Sequence, residues 1–288
     1  MDEKTRIGLV LEGGAMRGMY TAGVMDVMME NHIHVDGIVG VSAGAVFGCN
    51  YKSRQIGRVI RYNTAYCRDP RYISLRSLFK TGDLYGEQFC YHEIPDVLDP
   101  FDRETYAASP IDFYVTCTDA HTGKPVYRLC NKGDAEDVQW MRASASMPLA
   151  SRVVSVSGND LLDGGISDSI PVSWFRSIGY RKNIVVLTQP EGYRKKKSIL
   201  TPLIRLRLRK YPAIADAMEK RHTVYNSTLD ELVNLSKAGD TFILRPSEEM
   251  KINRTEKDPE KLNALYQLGR QDALGRIDAI REFVRSCA

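Results

Sequence analysis

A serine flanked by small residues, in Gly40-Val41-Ser42-Ala43-Gly44, is the group in this chain best suited to covalent chemistry. A serine on a sharp strand-to-helix turn is pushed into the open. Its neighbours two positions away must lack side chains, or they collide as the chain reverses. The helix that follows aims its N-terminal N–H groups and partial positive charge at the point where an oxyanion develops. A second group, Glu12-Gly13-Gly14-Ala15-Met16-Arg17-Gly18, offers bare backbone amides. Such a loop suits an oxyanion hole or a dinucleotide phosphate turn. Two features weaken the dinucleotide reading: Ala15 takes the place of the second glycine, and Asp36 precedes the strand that should end in an acidic residue. A tight turn made only for helix packing is the plainer alternative.

A serine hydroxyl needs a base. The five histidines, His32, His34, His92, His121 and His222, are poor choices. Only His222 follows Asp163, as the late histidine of an α/β-hydrolase would, and it sits in the charged helix face Glu219-Lys220-Arg221-His222. His34 precedes the nucleophile strand at its far end, and the other three lie in polar loops. Asp163, in Leu161-Leu162-Asp163-Gly164-Gly165, is the better candidate: it ends an apolar strand, and two glycines let the backbone approach closely. An ordinary β-turn Asp before Gly has the same signature, and spacing alone leaves both readings open.

These groups need a scaffold that presents them at strand ends. Short aliphatic runs at 6–11, 37–41 and 183–188 predict buried strands. Residues 112–118 alternate, 125–129 can pair with them, and 153–156 and 161–162 predict two strands joined by a turn at Ser157-Gly158-Asn159-Asp160. Helices are predicted over 15–30 and 43–51. Residues 70–102 carry many aromatics and turn residues without a clean period, which suggests a covering segment. Past residue 190 the chain becomes basic and then largely helical, with a strand at 241–244 and a last helix over 259–284. Alternating strands and helices argue for an α/β sheet with helices on both faces. The expected division is a catalytic region, 5–190, with a basic, mainly helical region, 191–288, packed on it.

Composition is that of a globular protein, with 43% hydrophobic and 26% charged residues, which argues against disorder. A net charge of +4 is too small to argue for nucleic acid, and none is expected as a partner. The six cysteines show neither C-x-x-C pairs nor histidine neighbours, so no zinc site is expected and the thiols are read as mostly reduced, in a cytoplasmic protein. The first apolar run is too short for a signal peptide, and no stretch approaches the ~18 apolar residues of a spanning helix. Peripheral membrane contact stays open. Residues 194–210 hold eight Lys or Arg (194, 195, 196, 197, 205, 207, 209 and 210), no acidic residue, and interleaved leucines and isoleucines. Such a stretch suits an anionic lipid surface, a solvated edge or a contact with the C-terminal helices.

Together, Gly-Gly-x-x-Arg-Gly after the first strand, Gly-x-Ser-x-Gly after the second and Asp-Gly-Gly downstream resemble the patatin-like phospholipase family. The resemblance covers roughly residues 5–190 and implies a three-layer α/β/α fold with a mostly parallel sheet. It implies a Ser–Asp dyad without histidine, in which Ser42 falls on the nucleophile and Asp163 on the base. Gly13, Gly14 and Ala15 fall on the oxyanion loop, with Arg17 and Gly18 closing that motif and Gly40, Gly44, Gly164 and Gly165 supporting the two turns. The segments Ser144-Ala145-Ser146-Met147-Pro148 and Ile170-Pro171-Val172 resemble those flanking the family's aspartate strand. Ala15 departs from the usual third glycine, and Glu12 stands where Asp or Gly is common. The implied activity is hydrolysis of a fatty-acyl ester, of phospholipid or a related lipid, through an acyl-enzyme and without cofactor, metal or calcium. A free Asp, with a pKa near ~3.9, is a poor base for a hydroxyl, so Asp163 is expected to be shielded from water. Thioesterase or general esterase activity on the same dyad, or a catalytically silent lipid-binding protein, are the alternatives. Substrate selection is expected to depend on the covering segment.

Overall fold

A computed structural model describes residues 5–286. One sheet is built from β1 (Ile7–Leu11), β2 (Gly37–Val41), β3 (Asp112–Asp119), β4 (Pro125–Leu129), β5 (Val154–Val156), β6 (Asn159–Asp163), β7 (Lys182–Val186) and β8 (Thr241–Leu244). The order is β5-β6-β3-β2-β1-β7-β8, with β4 paired to β3. From β3 through β2, β1 and β7 to β8 the pairing is parallel, and β4, β5 and β6 add antiparallel pairs. The helices are α1 (Gly18–Glu30), α2 (Ala43–Lys52), α3 (Arg58–Tyr66), α4 (Leu75–Thr81), α5 (Arg103–Ala108), α6 (Ala135–Ser144), α7 (Val172–Ser177), α8 (Thr201–Arg207), α9 (Pro212–Lys237), α10 (Pro259–Leu274) and α11 (Ile277–Arg285).

The period-two alternation of the strands sorts the core into two layers. Leu9, Leu11, Ile38, Ile184 and Val186 pack on one face with α1, α2 and α10. Val10, Val39, Val185 and Leu187 pack on the other with Phe175 of α7 and Tyr225 and Leu232 of α9. The expected mostly parallel α/β/α architecture is the one observed. The C-terminal region contributes to all three layers, because α10 covers one face, α9 covers the other, and β8 extends the sheet beyond β7.

Three of the differences from the sequence prediction have a plain physical reason. The first helix begins at Gly18, because Ala15 has φ +50° and Ala15–Arg17 form a separate 3₁₀ turn. The final helix is two: Arg276 leaves helical geometry (φ −121°) and donates to the carbonyl of Ile243 at 2.7 Å on β8. Residues 70–102 contain α4 and a π-helical segment, Phe89–Leu98, with Pro95 inside. The i→i+5 bonding of a π-helix has a different period from the α-helix, which explains why no 3.6-residue pattern was legible there.

Candidate active site

Strand β3 brings Ser42 and Asp163 together. Its residues 112–116 pair with β2, ending at Val41↔Thr116. Its residues 117–119 pair with β6, starting at Cys117↔Asp163. Strand β4 pairs with β3 residues 114–118 and so occupies the other edge. Strands β2 and β6 therefore share one edge of β3, run in opposite directions and abut at their C-terminal ends. Ser42 follows one end and Asp163 closes the other.

Ser42 sits at φ 55°, ψ −122°, a strained conformation for a residue with a side chain. The turn around it leaves no room for neighbours with Cβ atoms. One on Gly40 would lie 2.5 Å from the Gly44 carbonyl oxygen, and one on Gly44 would lie 2.3 Å from that of Leu11. The strain is held from the segment 144–146. The Ser42 N–H donates to Ser144 Oγ at 2.8 Å, and that hydroxyl donates to the Thr116 carbonyl at 2.6 Å. Two residues on, the Ser146 carbonyl accepts from the Asp163 N–H at 2.9 Å. A single turn thus fixes the backbone of both residues.

Gly13 lies against Ser42 so closely that a Cβ would come within 2.7 Å of the serine Cβ. The N–H groups of Gly13, Gly14 and Ala15 have no acceptor among the described residues and are free for an oxyanion. Glu12 anchors this loop. Its buried carboxylate accepts from the Thr188 N–H at 2.6 Å, the Thr188 hydroxyl at 3.1 Å and the Tyr225 hydroxyl at 2.7 Å. A buried carboxylate requires such donors. One comes from α9, so the departure at position 12 has its partner in the C-terminal region.

Asp163 is only 2% exposed. Burial raises its pKa, opposed by a hydrogen bond with the Ser42 side chain, the charge of Arg221, the Gly165 N–H at 2.7 Å and the charge of Arg254. Arg221, on α9, also donates through Nε to the Gly165 carbonyl. Ser42, Asp163, Gly13, Gly14, Ala15, Arg17 and Gly165 all line one polar pocket. Gly18, Gly40, Gly44 and Gly164 are not among the residues lining it. On its other side Ser42, with Ala15, lines an apolar cavity of about 130 Å³ walled by residues such as Phe47, Tyr62, Tyr91 and Ile94. Among the described residues no histidine lines either space, and no group of three or more His, Cys, Asp or Glu could hold a metal.

Four contributors escaped the sequence reading: Ser144, Tyr225, Arg221 and Arg254. Arg221 was visible only as part of a charged helix face beside His222. Ser144 lay in a motif-like segment whose role needed the hydrogen bond to become apparent.

A family model described as patatin-like phospholipase matches residues 9–175, and one described as a domain of unknown function (DUF6363) matches residues 211–285. The chain is similar to the uncharacterized protein YjjU of Escherichia coli, 32% identical over 194 residues, 64% of this chain and 52% of that one. It is similar also to the lysophospholipase NTE1 of Chaetomium globosum, 30% identical over 180 residues, 60% of this chain and 11% of that one. A putative patatin-like phospholipase domain-containing protein of Caenorhabditis elegans, M110.7, is 28% identical over 192 residues, 62% of this chain and 16% of that one. The chain spans about half the length of the bacterial relative and a small part of the other two.

Proposed function

The chain belongs to the patatin-like phospholipase family, and from that premise we propose that it is a serine lipid acyl hydrolase working through Ser42 and Asp163. The observation that carries this reading is the meeting of Ser42 and buried Asp163 in one pocket, set between free loop amides and an apolar cavity. Ser42 Oγ attacks the ester carbonyl as its proton passes to Asp163. The N–H groups of the Gly13–Ala15 loop hold the oxyanion. Asp163 returns the proton to the departing alkoxide, leaving an acyl-Ser42 ester. Water then repeats the sequence: its proton goes to Asp163, its oxygen bonds the acyl carbon, and Ser42 Oγ leaves and is reprotonated. The buried setting of Asp163 raises its basicity toward that of a working base.

A cavity of about 130 Å³ is comparable to one that accepts benzene, so it suits a short acyl segment. Labelling with a fluorophosphonate probe tests the reading: the added mass belongs on the peptide holding Ser42, and Ser42→Ala removes it together with hydrolysis of a short-chain nitrophenyl ester. Labelling elsewhere, or hydrolysis surviving in the variant, overturns it. Thioester substrates run alongside separate lipase from thioesterase use of the same pair.

We also propose that residues 194–210 rest on anionic lipid. Arg194, Lys197 and Arg205 pair with Asp230, Glu219 and Asp216, whereas Lys196, Arg207, Arg209 and Lys210 have no ion pair among the described residues. Beside them Ile199, Leu200, Leu203 and Leu206 are exposed, Ile199 at 91%. Basic and apolar groups in one exposed stretch suit a charged bilayer surface. Flotation with anionic vesicles but not with neutral ones is expected; equal flotation with both removes the electrostatic part. Among the described residues no helix is long and apolar enough to cross a membrane.

A further inference from the structure

The polar pocket at Ser42 contains more positive charge than the hydrolytic chemistry uses. Arg17, Lys195, Arg221 and Arg254 all line it, against two carboxylates, Glu12 and Asp163, so the excess is 4 − 2 = +2 with all groups ionised. Among the described residues none of the four cations makes an ion pair within the pocket. Glu12 is occupied by neutral donors. The Arg17 Nε is buried with no partner. The Lys195 ammonium lies 4.0 Å from the Tyr225 ring centroid with no hydrogen-bond acceptor. Arg17, Lys195 and Arg221 are half-buried and Arg254 is exposed, and cations crowded into one pocket without ion pairs are poised for an anion from outside. Their mutual repulsion points the same way. Burial, and then the charges of Arg221, Arg254 and Arg17, push the Lys195 pKa down to about 7, with Glu12 opposing.

Three of the four cations lie beyond residue 190. Arg221 and Arg254 belong to the region matching a domain of unknown function, and Lys195 precedes it. Ser42 lies between this pocket and the apolar cavity and lines both. An ester bound with its carbonyl at Ser42 and its acyl arm in the cavity would direct its alcohol arm among the cations. We propose that the C-terminal region completes the active site with an anion subsite, formed by Arg17, Lys195, Arg221 and Arg254, that takes a phosphate on the leaving alcohol of the substrate. The preferred substrate is then an acyl ester of a phosphorylated glycerol. This rests on the hydrolase reading above, and adds which side of the ester the charge occupies and which residues receive it. Phosphate has several acceptor oxygens for arginine and lysine donors, which explains the use of more than one cation.

The test uses the full chain and two substrates that differ by one group: a 1-acylglycerol and the same 1-acylglycerol 3-phosphate, with a short acyl chain presented below its aggregation concentration. The wild type is expected to favour the phosphorylated ester in kcat/KM. Lys195→Gln and Arg254→Gln are each expected to lower that preference about tenfold, the worth of one charged hydrogen bond. Lys261→Gln, an exposed cation on α10, is the charge control and leaves the preference where it was. No preference in the wild type, or equal loss on both esters in the variants, overturns the subsite while leaving the hydrolase intact. Binding of sn-glycerol 3-phosphate and of inorganic phosphate, measured by calorimetry, covers the remaining cases. Glycerol 3-phosphate binding that weakens in both variants supports the subsite even if neither ester is cleaved, in which case only the hydrolase reading fails. Inorganic phosphate binding without any gain for the phosphorylated ester assigns the pocket to a free anion and overturns the proposal. Binding of neither anion also overturns it.

Discussion

The two spaces that meet at Ser42 differ in origin as well as chemistry. The apolar cavity is lined only by residues up to Ser151, from the turn at Ala15 and Met16, α2, α3, α6 with the turn after it, and the covering segment, and its charges are matched internally. Arg142, for example, meets Glu87 at 2.6 Å, and Arg58 bonds the Asp99 carbonyl and Asn50. The polar pocket draws Lys195, Arg221 and Arg254 from the last third of the chain, and its cations make no ion pair among the described residues. Under the proposed hydrolase and anion-subsite readings, the difference assigns the nucleophile and the acyl side to the family core, and the tuning of the base and the alcohol side to the C-terminal region. If so, damage to the core removes the chemistry, and damage to the C-terminal region changes its pH range and selectivity.

Asp163→Asn gives the largest effect. Loss of the base is expected to lower kcat/KM on the order of 10³-fold or more. Stability should move the other way. The folded pKa of Asp163 is raised above the ordinary carboxylate value of 3.8. Its stabilising contribution is therefore present below that value and is lost as pH rises through the folded pKa. Burial penalises the charged form of the carboxylate, so the amide variant should melt no lower than wild type at neutral pH, with any advantage shrinking in acid. A lower Tm at neutral pH would contradict the assigned direction.

Ser144→Ala comes next, because it leaves the half-buried Ser42 N–H without its acceptor. The expected loss is about 1–3 kcal/mol of stability, read by urea unfolding, with lower kcat because the elbow is no longer pinned. A lowered KM with unchanged kcat would mean the hydroxyl does not hold the nucleophile.

Arg221→Gln probes the other side of the comparison. Arg221 opposes the burial that raises the Asp163 pKa, so losing its charge should move that pKa further up. The active form needs Asp163 ionised, hence kcat/KM falls as pH falls, and the acid limb should shift to higher pH in the variant. The limb itself is expected above the ordinary carboxylate value of 3.8. An unmoved limb would detach the C-terminal region from the base.

The same division explains what was legible in the sequence. The elbow, the glycine loop and Asp-Gly-Gly were readable because strand-end chemistry imposes local patterns: small residues at fixed offsets and apolar runs leading in. The parallel core followed from its aliphatic strands. The C-terminal contributors were not readable, since Arg221 and Tyr225 lie on a long helix whose other residues are mainly polar, and Arg254 in a loop. Lys195 belonged to a basic run that looked uniform, yet it turns inward while Arg194 and Lys197 pair at the surface. The one local hint was Glu12, a carboxylate ending a buried strand, which had to find distant donors and found Tyr225.

Ala15 gives the smallest effect and the finest test, because it lines both spaces. Its φ of +50° lies in the left-handed region, which costs a residue with a Cβ roughly 1–2 kcal/mol. Replacing it with glycine relieves that cost but returns about 0.4–1 kcal/mol through the greater freedom of the unfolded chain. The relief is the larger of the two, so Ala15→Gly should stabilise by up to about 1 kcal/mol, seen as a rise in Tm of about 2–4 °C. Because the methyl group borders the acyl side at the reacting serine, its removal should also raise kcat/KM more for bulky, branched acyl esters than for acetate. A gain in stability with no change in acyl preference would place the methyl outside the acyl path and leave the boundary between the two spaces to the Ser42 side chain alone.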